Sequence, residues 1–360
     1  MGMNAKLILE DGTTFEGTSF GFPFSTAGEV VFNTGMVGYP ESLTDPSYAG
    51  QILCFTYPLV GNYGVPNKVL ENQLIKNFES HKIQVQGLVV QDYSEGYSHH
   101  SASKSLGEWL VKEKIPAITG IDIRSLTKIL REKGTMLGKI VINDKDIDFY
   151  DPNKENLVEE VSIHKPVAYG GKSGKKVLLI DCGVKNNIIH EFLKRGVQVV
   201  RVPWDFDFFD EKFEHKNFDG LFISNGPGDP KMCRETIENI KKTMEKEIPI
   251  FGICLGNQLL GLAAGADTYK LKYGHRSQNQ PCYISGKKKF FITSQNHGFA
   301  IKEATLPSNW EVWMKNANDD TVEGIRHKHK PFFSVQFHPE ASPGPVDTNY
   351  LFDKFMEIIK

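Results

Sequence analysis

The chain has 360 residues, room for about two domains. At 40% hydrophobic and 24% charged residues its composition is that of an ordinary globular protein, which sets aside disordered and fibrous classes. Lys+Arg 42 against Asp+Glu 44 gives a net charge of -2, which removes the electrostatic case for nucleic acid as a partner. No apolar run reaches the ~18 residues a bilayer span needs, so no membrane association is expected.

The elements, in chain order, fall into two styles. Up to about residue 145, short strands alternate with Gly/Pro/Asn turns: Lys6 to Leu9, Glu29 to Asn33, Ile52 to Tyr57 and Gly87 to Gln91. Two helices follow. Ser103 to Lys114 carries Leu106, Trp109 and Leu110 at helical spacing; the next starts at Asp122 as N-cap and stops at Gly134. Leu137 to Asn143 reads as a strand. Residues 146–175 are polar and charged and read as a linker between domains at 1–145 and 176–360. Beyond it strand and helix alternate: Val177 to Asp181, Asn186 to Arg195, Gln198 to Val202, Asp219 to Ser224, Glu235 to Lys246, Ile248 to Ile253. That alternation predicts an α/β fold, a mostly parallel sheet with helices on both faces, joined to an N-terminal mixed β/α domain. Sites in such sheets lie at the carboxyl ends of strands.

The five cysteines, Cys54, Cys182, Cys233, Cys254 and Cys282, are odd in number and lack metal-ligand spacing. Reduced thiols in a cytoplasmic setting are expected, with no metal site. Met1 to Asp11 lacks the apolar core of a signal peptide. Cys254 stands apart. Gly252-Ile253-Cys254-Leu255-Gly256 follows a buried strand and leads into the apolar, helix-like segment Gln258 to Ala264. Small residues on both sides let such a turn bend sharply and project its central side chain, as in a nucleophile elbow. The turn alone fits a buried structural cysteine equally well.

A reactive thiol needs a base, and the base an orienter. The apolar strand Phe332 to Phe337 ends at His338-Pro339-Glu340. Residues two apart in an extended segment share a side, so Glu340 is placed to hold the His338 ring. Ser224-Asn225-Gly226-Pro227-Gly228-Asp229-Pro230 follows another strand and offers backbone N–H groups to an oxyanion, with the Leu255 N–H as a second donor. Ser294 to Phe299 reads as a polar loop after the strand Phe290 to Thr293.

Together, Gly-Ile-Cys-Leu-Gly-Asn-Gln, His-Pro-Glu, Ser-Asn-Gly-Pro-Gly-Asp-Pro and Ser-Gln-Asn-His-Gly-Phe resemble the class I (triad) glutamine amidotransferases. The N-terminal segments Phe32 to Tyr48, Thr56 to Gly64 and Gly120 to Thr127 resemble the small subunit of carbamoyl phosphate synthetase. The resemblance implies a Cys254–His338–Glu340 triad that releases ammonia from L-glutamine through a thioester. It implies a glutamine pocket of Ser47, Gly226, Gly228, Leu255, Gln258, Asn296, Gly298 and Phe299. It also implies a large-subunit partner that binds ATP, Mg²⁺ and bicarbonate and makes carbamoyl phosphate for arginine and pyrimidine synthesis, with no cofactor in this chain. The rival readings are a stand-alone glutaminase or γ-glutamyl hydrolase, and an inactive regulatory scaffold. The chain departs from the family's usual residues at Asn257, Ser277 and Gln280.

Overall fold

The computed structural model describes residues 3–171 and 174–359. The chain divides into two compact units, one reaching Glu71 and resuming over Ile75–Glu155, the other comprising Asn72–Leu74 with Asn156–Lys360.

The first unit is built on a closed seven-stranded barrel. Its strands are β1 (Asn4–Leu9), β2 (Thr14–Ser19), β3 (Thr26–Asn33), β4 (Gln51–Phe55), β5 (Gly87–Val89), β6 (Ala117–Thr119) and β7 (Met136–Ile142), in the order β1-β7-β3-β4-β5-β6-β2. Closure through the β1–β2 pairing leaves the barrel without a free edge. The β2 strand has no clear sequence signal because none of its residues is fully buried. Around the barrel lie α1 (Tyr39–Thr44), α2 (Leu106–Lys112) and α3 (Ile123–Lys133). The expected Asp122 cap on α3 is present, and that helix ends at Gly134; α2 starts later than the expected Ser103, behind a reciprocal capping box of Ser105 and Glu108. Ser47 lies in this unit, on the 3-10 turn Pro46–Tyr48.

The second unit is a ten-stranded sheet. Its strands are β8 (Val167–Tyr169), β9 (Lys176–Asp181), β10 (Gln198–Pro203), β11 (Gly220–Ile223), β12 (Ile250–Ile253), β13 (Thr268–Ile284), β14 (Phe290–Ile301), β15 (Trp310–Asn316), β16 (Val322–His327) and β17 (Phe332–Val335). They run in the order β8-β10-β9-β11-β12-β17-β16-β15-β13-β14. The run β10-β9-β11-β12-β17 is parallel. Everything outside it is antiparallel, so the sheet is mixed, with the parallel part confined to its centre. The stretch 146–175, expected as a linker, contains α4 (Leu157–Val161) and the edge strand β8.

Alternation along each central strand divides the interior into two cores. Leu179, Phe222, Phe251 and Ile253 meet Phe192, Phe352 and Phe355 of α5 (Asn186–Lys194) and α8 (Tyr350–Ile358). Leu178, Ile180, Leu221 and Ile223 meet Ile240 of α6 (Arg234–Glu245) and Leu259 and Leu260 of α7 (Leu255–Ala264) on the opposite face. Both faces are thereby covered, as strands apolar on both sides require.

Candidate active site

The reactive turn sits at the carboxyl end of β12. Cys254 is 2% exposed and adopts φ 56°, ψ -104°, a strained conformation for a residue with a side chain. Its flanking glycines have a steric reason. A Cβ on Gly252 would stand 2.5 Å from the Gly256 carbonyl oxygen, and a Cβ on Gly256 would collide with the Ile223 carbonyl of the neighbouring strand. The strand, the turn and helix α7 therefore stack backbone on backbone, as only glycine permits. Leu255 is the first residue of α7, so its N–H has no acceptor within the helix.

His338 comes from the chain just beyond the adjacent strand. β12 and β17 pair in parallel with Ile253 opposite Val335, and the Cys254 N–H donates to the Val335 carbonyl at 2.9 Å. The chain leaves β17 at Val335, short of the Phe337 end that the sequence suggests. The backbone N–H of His338 then donates to the Ser294 carbonyl at 2.9 Å. Pro339 and Glu340 turn back, and His338 Nδ1 meets Glu340 Oε1 at 2.6 Å. This contact is delivered by a turn, where the sequence implied extended chain.

Burial would lower the His338 ring, but the charge of Glu340 and the Cys254 sulfur outweigh it and raise the ring to about 10. His338 Nε2, on the side away from Glu340, is buried without a hydrogen-bond partner among the described groups. The Cys254 thiol donates to the Asn296 carbonyl at 3.5 Å. Burial would raise Glu340, yet the charges of Lys185 and His338 hold it at about 2. Lys185 Nζ lies 3.0 Å from Glu340 Oε1, with both side chains buried, and Asn187 Nδ2 donates to the Glu340 carbonyl at 2.6 Å. Lys185 and Asn187 were not among the sequence-predicted site residues. Their signal was position: a lysine just beyond the carboxyl end of β9, where sheets of this kind gather their sites.

The other expected site residues divide by unit. In the second unit, Gly226 follows β11, and a Cβ there would strike the Cys182 carbonyl and stand 2.8 Å from Leu255 Cδ2. The Gly226 turn and the elbow are thus neighbours. Gly228 adopts φ +83° and packs beside Leu157. Gln258 Nε2 donates to the Phe299 carbonyl at 2.8 Å, tying α7 to β14. Asn296, Gly298 and Phe299 belong to β14, so the polar loop expected over Ser294 to Phe299 is a continuous part of that strand. Polar residues there face buried polar partners, which masked the strand pattern. Ser47 belongs to the other unit.

Asn257 has a defined place. It is fully buried, donates Nδ2 to Gln336 Oε1 at 3.0 Å and accepts Ser334 Oγ at 2.8 Å, so it ties α7 to β17 and its extension. A neutral amide that both donates and accepts meets this need without titrating. A strained thiol, an imidazole with a carboxylate behind it, and an open helix N-terminus beside a glycine turn form the constellation of acyl-transfer chemistry at a thiol.

Comparison with known proteins places the chain in a class. The glutamine amidotransferase class-I family matches residues 178–358, and the chain belongs to that family. The CPSase domain of the carbamoyl-phosphate synthase small chain matches residues 7–140, so the two matches together are those of a carbamoyl-phosphate synthase small chain. The chain is 52% identical over 360 residues to the human protein named carbamoyl-phosphate synthase [ammonia], mitochondrial, spanning 99% of this chain and 24% of that protein. It is 54% identical over 359 residues to multifunctional protein CAD of Squalus acanthias, spanning 98% and 16%. It therefore spans about a quarter or less of the length of these curated relatives. A glutamine amidotransferase structure from Thermotoga maritima aligns with 52% of this chain and 87% of its own at 18% identity and a TM-score of 0.39. Among the described residues no helix is long and apolar enough to cross a membrane.

Proposed function

We propose that this chain hydrolyses L-glutamine for carbamoyl phosphate synthesis. Cys254 gives its thiol proton to His338 Nε2 as Sγ attacks the side-chain carboxamide carbon, and the N–H groups of Leu255 and Gly226 receive the negative charge on the carbonyl oxygen. The C–N bond breaks as His338 Nε2 delivers a proton to the departing nitrogen, leaving a glutamyl thioester and ammonia. Water, giving its proton to His338, then cleaves the thioester to glutamate and the free thiol. Glu340 holds the ring through Nδ1, and Lys185 balances the Glu340 charge. Within the second unit, Gly226, Gly228, Leu255, Gln258, Asn296, Gly298 and Phe299 bind the substrate.

The observation that carries this reading is His338 Nδ1 at 2.6 Å from Glu340, with the other ring nitrogen left unbonded and the ring coupled to Cys254. The ammonia passes to a large synthetase partner that binds ATP, Mg²⁺ and bicarbonate, in the cytoplasm, for arginine and pyrimidine synthesis. The multifunctional relatives are consistent with a small chain that works beside a larger one.

The human relative's name specifies ammonia, which favours a second reading, an amidotransferase-like subunit that hydrolyses nothing. A single experiment decides between them. Wild-type chain hydrolyses glutamine, and Cys254→Ser abolishes this while ammonia-dependent synthesis by the assembled complex persists. Wild-type protein without glutaminase activity, alone and with its partner, overturns the proposal. So does Cys254→Ser losing both nitrogen sources while still assembling.

A further inference from the structure

A second cluster of ionisable groups lies in the antiparallel part of the ten-stranded sheet. His275 on β13, His297 on β14 and Glu323 on β16 are buried, and one ligand-type atom from each lies within 4.8 Å of the others. His275 Nε2 is 2.9 Å from Asp319 Oδ2, and its Nδ1 is 3.4 Å from Glu323 Oε1. His297 Nδ1 faces the Phe299 carbonyl at 2.8 Å; its Nε2 faces Gln295 Oε1 at 3.1 Å and Glu323 Oε1 at 3.9 Å.

Protons do not satisfy this arrangement. A carbonyl only accepts, so Nδ1 carries the hydrogen of the His297 ring. With that hydrogen on Nδ1, the buried Nε2 of His297 presents a lone pair toward the cluster. The Gln295 amide is fixed by its own Nε2, which lies 3.3 Å from Cys282 Sγ and 3.2 Å from Thr293 Oγ1. Its oxygen therefore meets a bare nitrogen, acceptor against acceptor. Beside them, His275 Nδ1 and Glu323 Oε2 are buried without hydrogen bonds. Lone pairs from His297 Nε2, Gln295 Oε1 and the Glu323 carboxylate converge there beside His275 Nδ1, and together they outline a place for a cation.

We propose that His275 Nδ1, His297 Nε2 and the Glu323 carboxylate bind a divalent metal ion of the Zn²⁺ class, with Gln295 Oε1 beside the fourth position. Tetrahedral ligands at the usual Zn²⁺ distances stand roughly 3.3 Å from one another, and the separations of 3.4 and 3.9 Å are close to that. Both rings have outer partners, Asp319 and the Phe299 carbonyl, on the nitrogen that points away, which is how metal-binding imidazoles are oriented. Two imidazoles and one carboxylate suit Zn²⁺ or Co²⁺ better than Mg²⁺ or Ca²⁺. Asp319 and Glu323, at 2.9 and 3.4 Å from the two nitrogens of His275, give the cluster the negative charge that attracts a cation. The ion would lock β14, whose Asn296 carbonyl accepts the Cys254 thiol.

The test uses the full chain carrying Cys254→Ser, so that the thiol beside His338 does not hold metal. After equilibrium dialysis against Zn²⁺, one ion per chain is expected, and Co²⁺ in its place should give strong tetrahedral d–d absorption. His275→Gln and Glu323→Gln should each weaken binding by on the order of 100-fold, and Asp319→Asn by about 10-fold. Folded Cys254→Ser protein that retains no ion overturns the proposal, as do His275→Gln and Glu323→Gln variants that bind as tightly as their parent. If neither buried variant folds, the exposed Asp319→Asn decides, and unchanged Zn²⁺ affinity there overturns it.

Discussion

Glu340 carries a full negative charge with its side chain inaccessible to solvent, and Lys185 is the cation that makes this tolerable. Removing one partner of a buried ion pair leaves the other uncompensated, at a cost of about 3–5 kcal/mol. Lys185→Met should therefore lower stability by that amount in denaturant unfolding, and should lower kcat for glutamine hydrolysis by driving Glu340 toward its neutral form. A variant with wild-type stability and kcat would show that the pair is not coupled to the chemistry. The His338–Glu340 contact was legible in the His-Pro-Glu segment, although as extended chain and not as the turn that makes it, and Cys254 stood out through its glycine-flanked elbow. Lys185 was not legible, since its meaning arises only when parallel pairing sets the ends of β9 and β17 on the same edge of the sheet.

At the scale of elements, the elbow works because β12, the turn and α7 touch through backbone atoms. A methyl group on Gly256 would have to displace the Ile223 carbonyl, and thus β11. Gly256→Ala should cost about 1–3 kcal/mol, the usual range for overpacking, and should reduce glutaminase activity more than it reduces stability. Retained activity together with retained melting temperature would mean that the turn relaxes freely. The central strands and their helices were readable from apolar runs and caps. The strands β13, β15 and β16 were not, because their antiparallel pairings are irregular in register and their buried positions are often polar: His275, Arg276, Asn316 and Glu323 lie inside. Polar residues that find partners inside a sheet erase the alternation that announces a strand. Asn257 belongs here too. As a departure in a motif it looked like loose chemistry, yet in the fold it is a two-ended tie between a helix and its neighbouring strand.

The whole chain inherits a pH dependence from these buried groups. His338 and His275 are raised to about 10 and about 9, so their contribution is complete below the ordinary value of 6.5 and is lost as pH climbs through the raised values. Glu340 is lowered to about 2 from 4.5, so its contribution is complete above 4.5 and is lost as pH falls toward 2. Both sets are fully present only between pH 4.5 and 6.5. His297, held well below 6.5 by burial and then by the charge of His275, adds a loss as pH falls below 6.5, so the melting temperature should peak near pH 6.5 and decline on either side, and Glu340→Gln should flatten the alkaline decline. A melting temperature that keeps rising to pH 9 would contradict these assignments. The two units were readable as different styles of sequence, while the barrel in the first was not, because β2 exposes too much of itself and β5 and β6 are only three residues long.

The parallel pairing of β12 with β17 has a further consequence. Cys254 and Val335 stand on adjacent strands at the ~4.8 Å interval of the sheet, and His338, just beyond, is fixed by its N–H bond to the Ser294 carbonyl of β14. The sheet thus acts as a ruler for both side chains, and a turn outside the paired strands can change length without recalibrating it. Lineages and engineers can therefore graft or trim at the exposed Gly286 turn between β13 and β14, leaving the distance that matters for chemistry untouched.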